Sequence, residues 1–275
     1  MPSTLSSFGF PPFTRAVKQL VYICVAVFLA GMLLGRVAPN FWARIDETAA
    51  LIPFAVLHGY PDLPIPHIWQ LITYSFMHGG VMHILFNMLS LWLFGATLEQ
   101  SWGYRKFMEF YFLCVVGAAL ATIAVSYAGV LGMRPDIPTV GASGGIYGLI
   151  VAFGVLYAEM RVFVFGVFPL KAKWFAIIWI VIAVLMGQVA HMGGALVGFA
   201  YLKLMPRGGI PYVASERYYG IRNWYHRYKR KQAQKKFEVY MGKVDRKQYF
   251  DEHGNYRDPD ERKGNGDGGG GKWVN

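Results

Sequence analysis

Charged side chains are scarce in this sequence. Of its 275 residues, 16% are Asp, Glu, Lys or Arg, whereas 55% are hydrophobic and 16% are aromatic. That is too little polar surface to cover a water-soluble globule of this length, and the hydrophobic residues come in long blocks. The composition therefore favours a protein that lies in the lipid bilayer over a soluble enzyme.

Cysteine is nearly absent as well. The two cysteines, Cys24 and Cys114, both lie inside hydrophobic blocks, where a thiol is most simply a small buried hydrophobic group. Two such residues provide neither a disulfide framework nor a set of thiolate ligands. We predict no metal centre and no cofactor.

Acidic residues are outnumbered, since 16 Asp and Glu stand against 27 Lys and Arg and the net charge is +11. The basic residues concentrate after residue 202, which is typical of a tail next to a membrane. In a soluble protein this charge would indicate nucleic-acid binding. Here we predict the lipid bilayer as the partner and no nucleic acid.

The hydrophobic blocks predict an all-α membrane protein with a bundle of six transmembrane helices, because each block approaches the length of about 20 residues that spans a bilayer. The predicted spans are residues 19–34, 82–99, 107–131, 142–160, 172–187 and 189–205. The first block has no clear cleavage site after it and is read as a retained helix.

Lys and Arg in the connections between the blocks predict the orientation, since cytoplasmic loops carry an excess of them. They predict that both termini lie in the cytoplasm. The compact layout of six spans without a targeting extension predicts a multi-pass protein of the plasma membrane. The outer connection, residues 35–81, is amphipathic and is expected to rest in the membrane interface. The predicted domains are a cytoplasmic segment (1–18), a membrane domain (19–205), a basic tail that is helical within 216–247 (206–250) and a disordered Gly-rich end (251–275).

Four polar residues lie inside the predicted spans, where polar groups are costly and mark candidate functional positions. His83 and Asn87 open the second span, Ser143 opens the fourth and His191 opens the sixth. In the predicted orientation, all three of these helices enter the membrane from the outer side. We therefore expect the four side chains near the outer surface.

The chemistry of these residues fits acyl transfer. A serine hydroxyl becomes nucleophilic when a base such as His191 accepts its proton. Ser143 begins a helix, whose free N–H groups can hold a developing negative charge, and His83 and Asn87 share one helix face as two further donors. Tyr147 lies one turn below Ser143, where it can pack beside an imidazole.

Helix packing must bring His191 to Ser143. Small residues spaced by four let membrane helices approach closely, and both helices have them: Gly144 and Gly148 on the fourth span, and Gly194 and Gly198 on the sixth. A third, acidic member is not predicted. The nearest acidic residues are Asp62, Glu99 and Asp136, and none has a compelling position.

Other interpretations of these residues are simpler. A lone membrane histidine is often a core residue, the spaced glycines are packing devices, and His78 is read as a loop residue or one beside the site. The pattern around Ser143 also matches the G-x-S-x-G turn of soluble α/β hydrolases. That turn needs a preceding strand, and residues 134–140 are a short polar loop with two prolines.

Residues 64–204 resemble the rhomboid family of intramembrane serine proteases. The resemblance rests on three motifs in family order: His83-x-x-x-Asn87, Gly141-Ala142-Ser143-Gly144 and Ala190-His191-Met192-Gly193-Gly194. It implies a six-helix fold, a Ser143–His191 dyad, an oxyanion site from His83, Asn87 and the Ser143 N–H, and Tyr147 packed on His191. It also implies that the substrates are transmembrane proteins, cut near the outer ends of their spans.

Two features depart from the family pattern. Trp69-Gln70 stands where the family commonly has Trp-Arg. Only residues 187–190 separate the fifth span from His191, and this connection is shorter than the flap that typically caps the site.

The alternative function is a catalytically inactive rhomboid-like protein that binds membrane helices. A small transporter or channel is disfavoured, because the spans carry almost no further charges.

Overall fold

A computed structural model describes residues 11–60, 64–164, 168–204, 222–235 and 250–256. The chain divides into two units, Met1–Ile210 and Pro211–Asn275.

The first unit is built mainly of helices. Its α-helices are α1 (Arg15–Val37), α2 (Pro39–Ala49), α3 (Pro53–His58), α4 (Gln70–Thr73), α5 (Val81–Ser90), α6 (Ala96–Trp102), α7 (Tyr104–Ala128), α8 (Ser143–Leu156), α9 (Ala172–Leu185) and α10 (Val189–Leu204). A π-helical turn, Leu91–Gly95, joins α5 to α6, and short 3₁₀ turns follow α4 and α7.

Three helices in the described residues are long and apolar enough to cross a membrane: Arg15–Val37, the continuous Val81–Trp102, and Tyr104–Ala128. The apolar helices α8, α9 and α10 are shorter. Each of the six falls on one of the six predicted hydrophobic segments, so a mostly helical fold is confirmed.

One small β-hairpin interrupts the predicted all-α architecture. Strands β1 (Arg161–Val164) and β2 (Phe168–Lys171) pair antiparallel between α8 and α9. The fourth predicted span therefore ends early, with α8 stopping at Leu156 rather than at residue 160. The segment is rich in Val and Phe, which fit a pleated, half-exposed ribbon.

Helix α8 forms the centre of the bundle, since every residue from Gly144 to Gly154 is buried. Its neighbour α10 approaches with backbone against backbone. A Cβ added to Gly194 would collide with the Gly144 carbonyl oxygen, and one added to Gly198 would lie 2.9 Å from the Gly148 Cα. The predicted close approach of these two helices through their glycines is confirmed.

The outer connection is tied to the loop that leads into α8. Leu51 and Thr139 exchange two backbone hydrogen bonds, of 2.9 and 2.8 Å. The fully buried Gln70 side chain accepts a hydrogen bond from the Ile52 N–H at 3.0 Å and donates one to the Glu47 carbonyl at 3.0 Å. Gln70 therefore anchors the connection at the position where the family commonly carries arginine. Helix α2 buries none of its residues, as expected of a segment at a membrane interface.

A buried carboxylate anchors the first helix. Glu99 accepts hydrogen bonds from the Thr14 hydroxyl and from the N–H groups of Ala16, at 2.8 Å, and Val17, at 3.1 Å. These N–H groups belong to the first turn of α1 and have no acceptor within their own helix. Negative charge is favoured at that end of a helix, so Glu99 fixes the start of α1 to the bundle.

A tight turn joins α9 to α10. Helix α9 ends at Leu185 and α10 begins at Val189. Gly187 takes a positive φ of 63°, and the Gly187 and Gln188 N–H groups bond back to the last carbonyls of α9 at 3.0 and 2.9 Å. The short connection predicted before His191 is therefore a closed turn.

The second unit contains a helix over residues 222–235 and a turn over residues 250–256. The helix falls within the predicted one, and the other residues of 216–247 lie outside the described residues. Disorder is predicted from Asp251 onward, but the first six residues of that segment form a turn. The Asp251 Oδ1 accepts hydrogen bonds from the His253 and Asn255 N–H groups at 2.9 and 2.8 Å. Residues 257–275 lie outside the described residues.

The contact of α8 with α10 predicts a strong cost for Gly194→Ala. The new methyl group would meet backbone, which cannot move aside as a side chain can, so we expect the free energy of unfolding to fall by about 1–3 kcal/mol or more. Thermal unfolding in detergent micelles measures this. The control is Gly35→Ala on α1, where the nearest side-chain atom is 3.9 Å from the added Cβ. Equal stability of the two variants would contradict the packing.

Candidate functional site

The predicted nucleophile and base lie in direct contact. The His191 Nε2 atom is 2.7 Å from the Ser143 Oγ atom, and both residues are half-buried. Ser143 is the first residue of α8 and His191 the third residue of α10, so the contact forms where the two helices start side by side. With the imidazole proton on Nδ1, the serine hydroxyl donates this hydrogen bond to Nε2.

The imidazole of His191 is oriented by an aromatic ring. Tyr147 stacks on it with ring centroids 4.2 Å apart and an angle of 11° between the planes. The His191 Nδ1 atom is buried and has no hydrogen-bond partner among the described residues. The ring is therefore held by stacking and packing, as the prediction of Tyr147 beside an imidazole requires.

Neither Glu99 nor Asp136 completes a catalytic triad with Ser143 and His191 in the described structure. Glu99 binds the start of α1. Asp136 accepts two hydrogen bonds from Arg134, at 3.0 and 2.5 Å, and these hold the pKa of its exposed carboxyl below the ordinary value. Asp62 lies outside the described residues.

His83 and Asn87 lie against the backbone that precedes the serine. A Cβ added to Gly141 would stand 2.7 Å from the His83 Nε2 atom and 3.6 Å from the Asn87 Nδ2 atom. Gly141 has a φ of 122°, which side-chain-bearing residues rarely adopt, so glycine is required here by both conformation and space. The structure thus brings His83, Asn87 and Gly141 together.

The Asn87 amide is an unused donor. Its Nδ2 atom is buried and has no hydrogen-bond partner among the described residues. A buried donor without an acceptor costs about 1–3 kcal/mol of free energy. A substrate oxygen that binds beside this amide would supply the missing acceptor. The Ser143 N–H, in the first turn of α8, likewise has no acceptor within its helix. Both donors can serve an oxygen atom that arrives beside Ser143.

Tyr74 supports the serine loop and was not predicted from the sequence. Its carbonyl accepts a hydrogen bond from the Gly141 N–H at 2.9 Å, and its hydroxyl donates to the Val115 carbonyl of α7 at 2.8 Å. The fully buried ring thus ties the residue before the Ala142-Ser143 pair to the core. No sequence motif marks this role, because Tyr74 contributes its backbone as much as its side chain.

His78 lies beside the site, which is one of the two positions that the sequence predicted for it. Its ring meets that of His83 edge-on, with centroids 5.2 Å apart. Burial, with a smaller contribution from His83, lowers the pKa of His78 to about 4, so the imidazole is neutral near pH 7. Its Nδ1–H can then donate to the Phe76 carbonyl at 3.2 Å.

The chemistry available at these residues is nucleophilic. A hydroxyl in contact with an imidazole, beside donors without acceptors, is the arrangement that transfers an acyl group through a tetrahedral intermediate. Among the described residues, no group of three or more His, Cys, Asp or Glu side chains could hold a metal ion.

Comparison with known proteins gives the family. Residues 66–207, just over half of the chain, match the family model described as the rhomboid domain. The matched region contains all the candidate site residues.

Curated relatives agree. The chain is 31% identical to RHOMBOID-like protein 1 of Arabidopsis thaliana over 116 residues, 42% of this chain and 25% of the relative. It is 28% identical to Rhomboid-like protease 2 of Toxoplasma gondii over 190 residues, 65% of this chain and 61% of the relative. It is 27% identical to the mitochondrial Rhomboid protein 1 of Saccharomyces cerevisiae over 204 residues, 70% of this chain and 55% of the relative. The chain spans less than two thirds of each of these relatives. Since the family model covers just over half of the chain, including every candidate site residue, this chain belongs to the rhomboid family.

Proposed function

We propose that this protein is an intramembrane serine endopeptidase that hydrolyses peptide bonds of transmembrane proteins. Ser143 is the nucleophile and His191 the general base. The observation that carries the proposal is the 2.7 Å contact between the Ser143 Oγ and His191 Nε2 atoms, on an imidazole held by stacking on Tyr147. Family membership and the relative named as a protease support the same activity.

The reaction follows from the positions of the groups. The Ser143 hydroxyl attacks the scissile carbonyl while its proton passes to the His191 Nε2 atom. The tetrahedral intermediate carries a negative oxygen, which His83, Asn87 and the Ser143 N–H stabilise. His191 then gives its proton to the leaving amine, and the C–N bond breaks. Water, activated by the same imidazole, hydrolyses the acyl-enzyme and restores Ser143.

The membrane setting completes the proposal. The three spanning helices and the three shorter apolar helices form a six-helix transmembrane bundle, with both termini in the cytoplasm and the site near the outer face of a plasma membrane. The half-buried Ser143 lies at a helix start, where water can reach it. Substrates carry helix-destabilising residues near this face, because an intact helix keeps its carbonyls in internal hydrogen bonds.

Removing the nucleophile or the base should abolish cleavage. We expect Ser143→Ala and His191→Ala each to lower kcat/KM by roughly 10⁴-fold or more, since the two residues act as a unit. Release of the cut fragment from a model transmembrane substrate in liposomes measures this. Unchanged thermal unfolding of both variants is the control for folding.

An inactive wild type across several substrates, with both variants still binding them, would instead favour the inactive helix-binding protein. Cleavage that survives Ser143→Ala would contradict the proposed nucleophile.

The oxyanion donors should affect chemistry more than binding. We expect Asn87→Ala to lower kcat by on the order of 10²–10³-fold with little change in KM, because the amide is used only when the oxygen becomes negative. Asn87→Asp, of nearly the same shape, should be no better, since a carboxylate accepts and would repel the oxyanion. A rise in KM without a fall in kcat would assign Asn87 to substrate binding. His83→Ala is the parallel test.

Tyr147 should act through its ring and not through its hydroxyl. An aromatic stack contributes about 0.5–1.5 kcal/mol, so Tyr147→Ala should lower kcat several-fold to tenfold by freeing the imidazole. Tyr147→Phe keeps the stack and should retain near-wild-type kcat. Equal loss of kcat in both variants would show that the hydroxyl, rather than the stack, is what matters.

A further inference from the structure

A strongly basic helix lies after the membrane-spanning part of the chain. The helix at residues 222–235 contains six Lys or Arg residues and no Asp or Glu, and all of its residues are exposed. An isolated helix of this length is marginal in water, and like charges three or four residues apart weaken it further. Such a helix is stable when an opposite charge lies along it.

Its aromatic residues share one face. Trp224, Tyr225 and Tyr228 follow the spacing of three and four residues, and they are 63%, 47% and 50% exposed. Trp224 and Tyr228 stack with ring centroids 5.9 Å apart, and the Lys229 Nζ atom lies 5.1 Å from the centroid of the Tyr225 ring. Exposed Trp and Tyr rings with polar edges are characteristic of the boundary between headgroups and acyl chains.

The basic residues border this aromatic face on both sides. At about 3.6 residues per turn, Arg227 and Lys231 fall along one edge, and Arg222 and Lys229 along the other. Long basic side chains at these edges can reach outward to headgroup phosphates while the rings between them enter the interface. A helix face with aromatic residues at its centre and basic residues along its edges is therefore complementary to an anionic membrane surface.

We propose that the helix at residues 222–235 binds the anionic phospholipid headgroups of the membrane that the chain spans. In sequence, the 17 residues 205–221 separate it from the end of α10, so the helix is covalently attached to the proposed membrane domain. Anionic headgroups are thus always present at high local concentration, whereas a nucleic acid must be captured from solution. The proposal rests on membrane insertion alone and is independent of catalysis.

The test uses the full-length protein with Gln232→Cys, on the same face as Tyr225 and Tyr228, carrying an environment-sensitive fluorophore. Cys24 and Cys114 are buried, so the exposed new thiol takes the label selectively. The protein is reconstituted into vesicles of phosphatidylcholine alone or with 30% phosphatidylglycerol, at low and at high salt throughout. We expect a blue shift and quenching by spin-labelled lipid in anionic vesicles at low salt, and neither in neutral vesicles or at high salt.

Matched variants separate charge from shape. Replacing Arg227, Lys229 and Lys231 by Gln should lower the ratio of bound to free helix by on the order of 100-fold, at about 1 kcal/mol per charge. The control variant Arg227→Lys, Lys229→Arg, Lys231→Arg keeps the charge and should keep the signal. Trp224→Ala with Tyr228→Ala should reduce the quenching, which reports depth, while salt dependence remains.

Three results would overturn the proposal. They are equal signals in neutral and anionic vesicles, no signal in either, and a signal that appears with an added polynucleotide but not with anionic lipid. The last would assign the helix to nucleic acid.

Discussion

The contact between α8 and α10 is the constraint on which the site depends. In lipid, helices gain little from hydrophobic burial against one another, so close packing and hydrogen bonds must hold them together. Gly144 and Gly148 leave room for Gly194 and Gly198, and the two backbones touch. Because Ser143 and His191 stand at the starts of these helices, the spacing of the backbones sets the separation of the proposed nucleophile and base.

In the proposed dyad, aromatic stacking takes the role that a carboxylate has in the triad of a soluble serine protease. A buried acid within the bundle would cost several kcal/mol of desolvation. Stacking of Tyr147 on His191 supplies orientation without charge, and the one well-buried carboxylate described, Glu99, is used instead to fix α1. The buried donor of Asn87 stands ready beside Gly141. In the proposed reaction, charge appears only in the transition state, where these donors act.

Much of this was predictable from local patterns. Hydrophobic blocks located the six apolar helices, and the spacing of four in both His83–Asn87 and the glycine pairs predicted which faces meet. The role of Tyr74 was not predictable, because it holds Gly141 through its carbonyl, which every residue possesses. The β1–β2 hairpin was missed since a short segment rich in Val and Phe carries no clear period. The use of Gln70 as an anchor depends on carbonyls from the distant outer connection, which sequence alone does not place.

The most direct measurement is the site of reaction with a fluorophosphonate, located by mass spectrometry of peptides from the protein in liposomes. The account predicts a single adduct on Ser143, at a rate that falls sharply in His191→Ala, because the imidazole must accept the serine proton. An adduct on another serine, or labelling of Ser143 at an unchanged rate without His191, would contradict the claim that the packing of α8 on α10 creates the nucleophile.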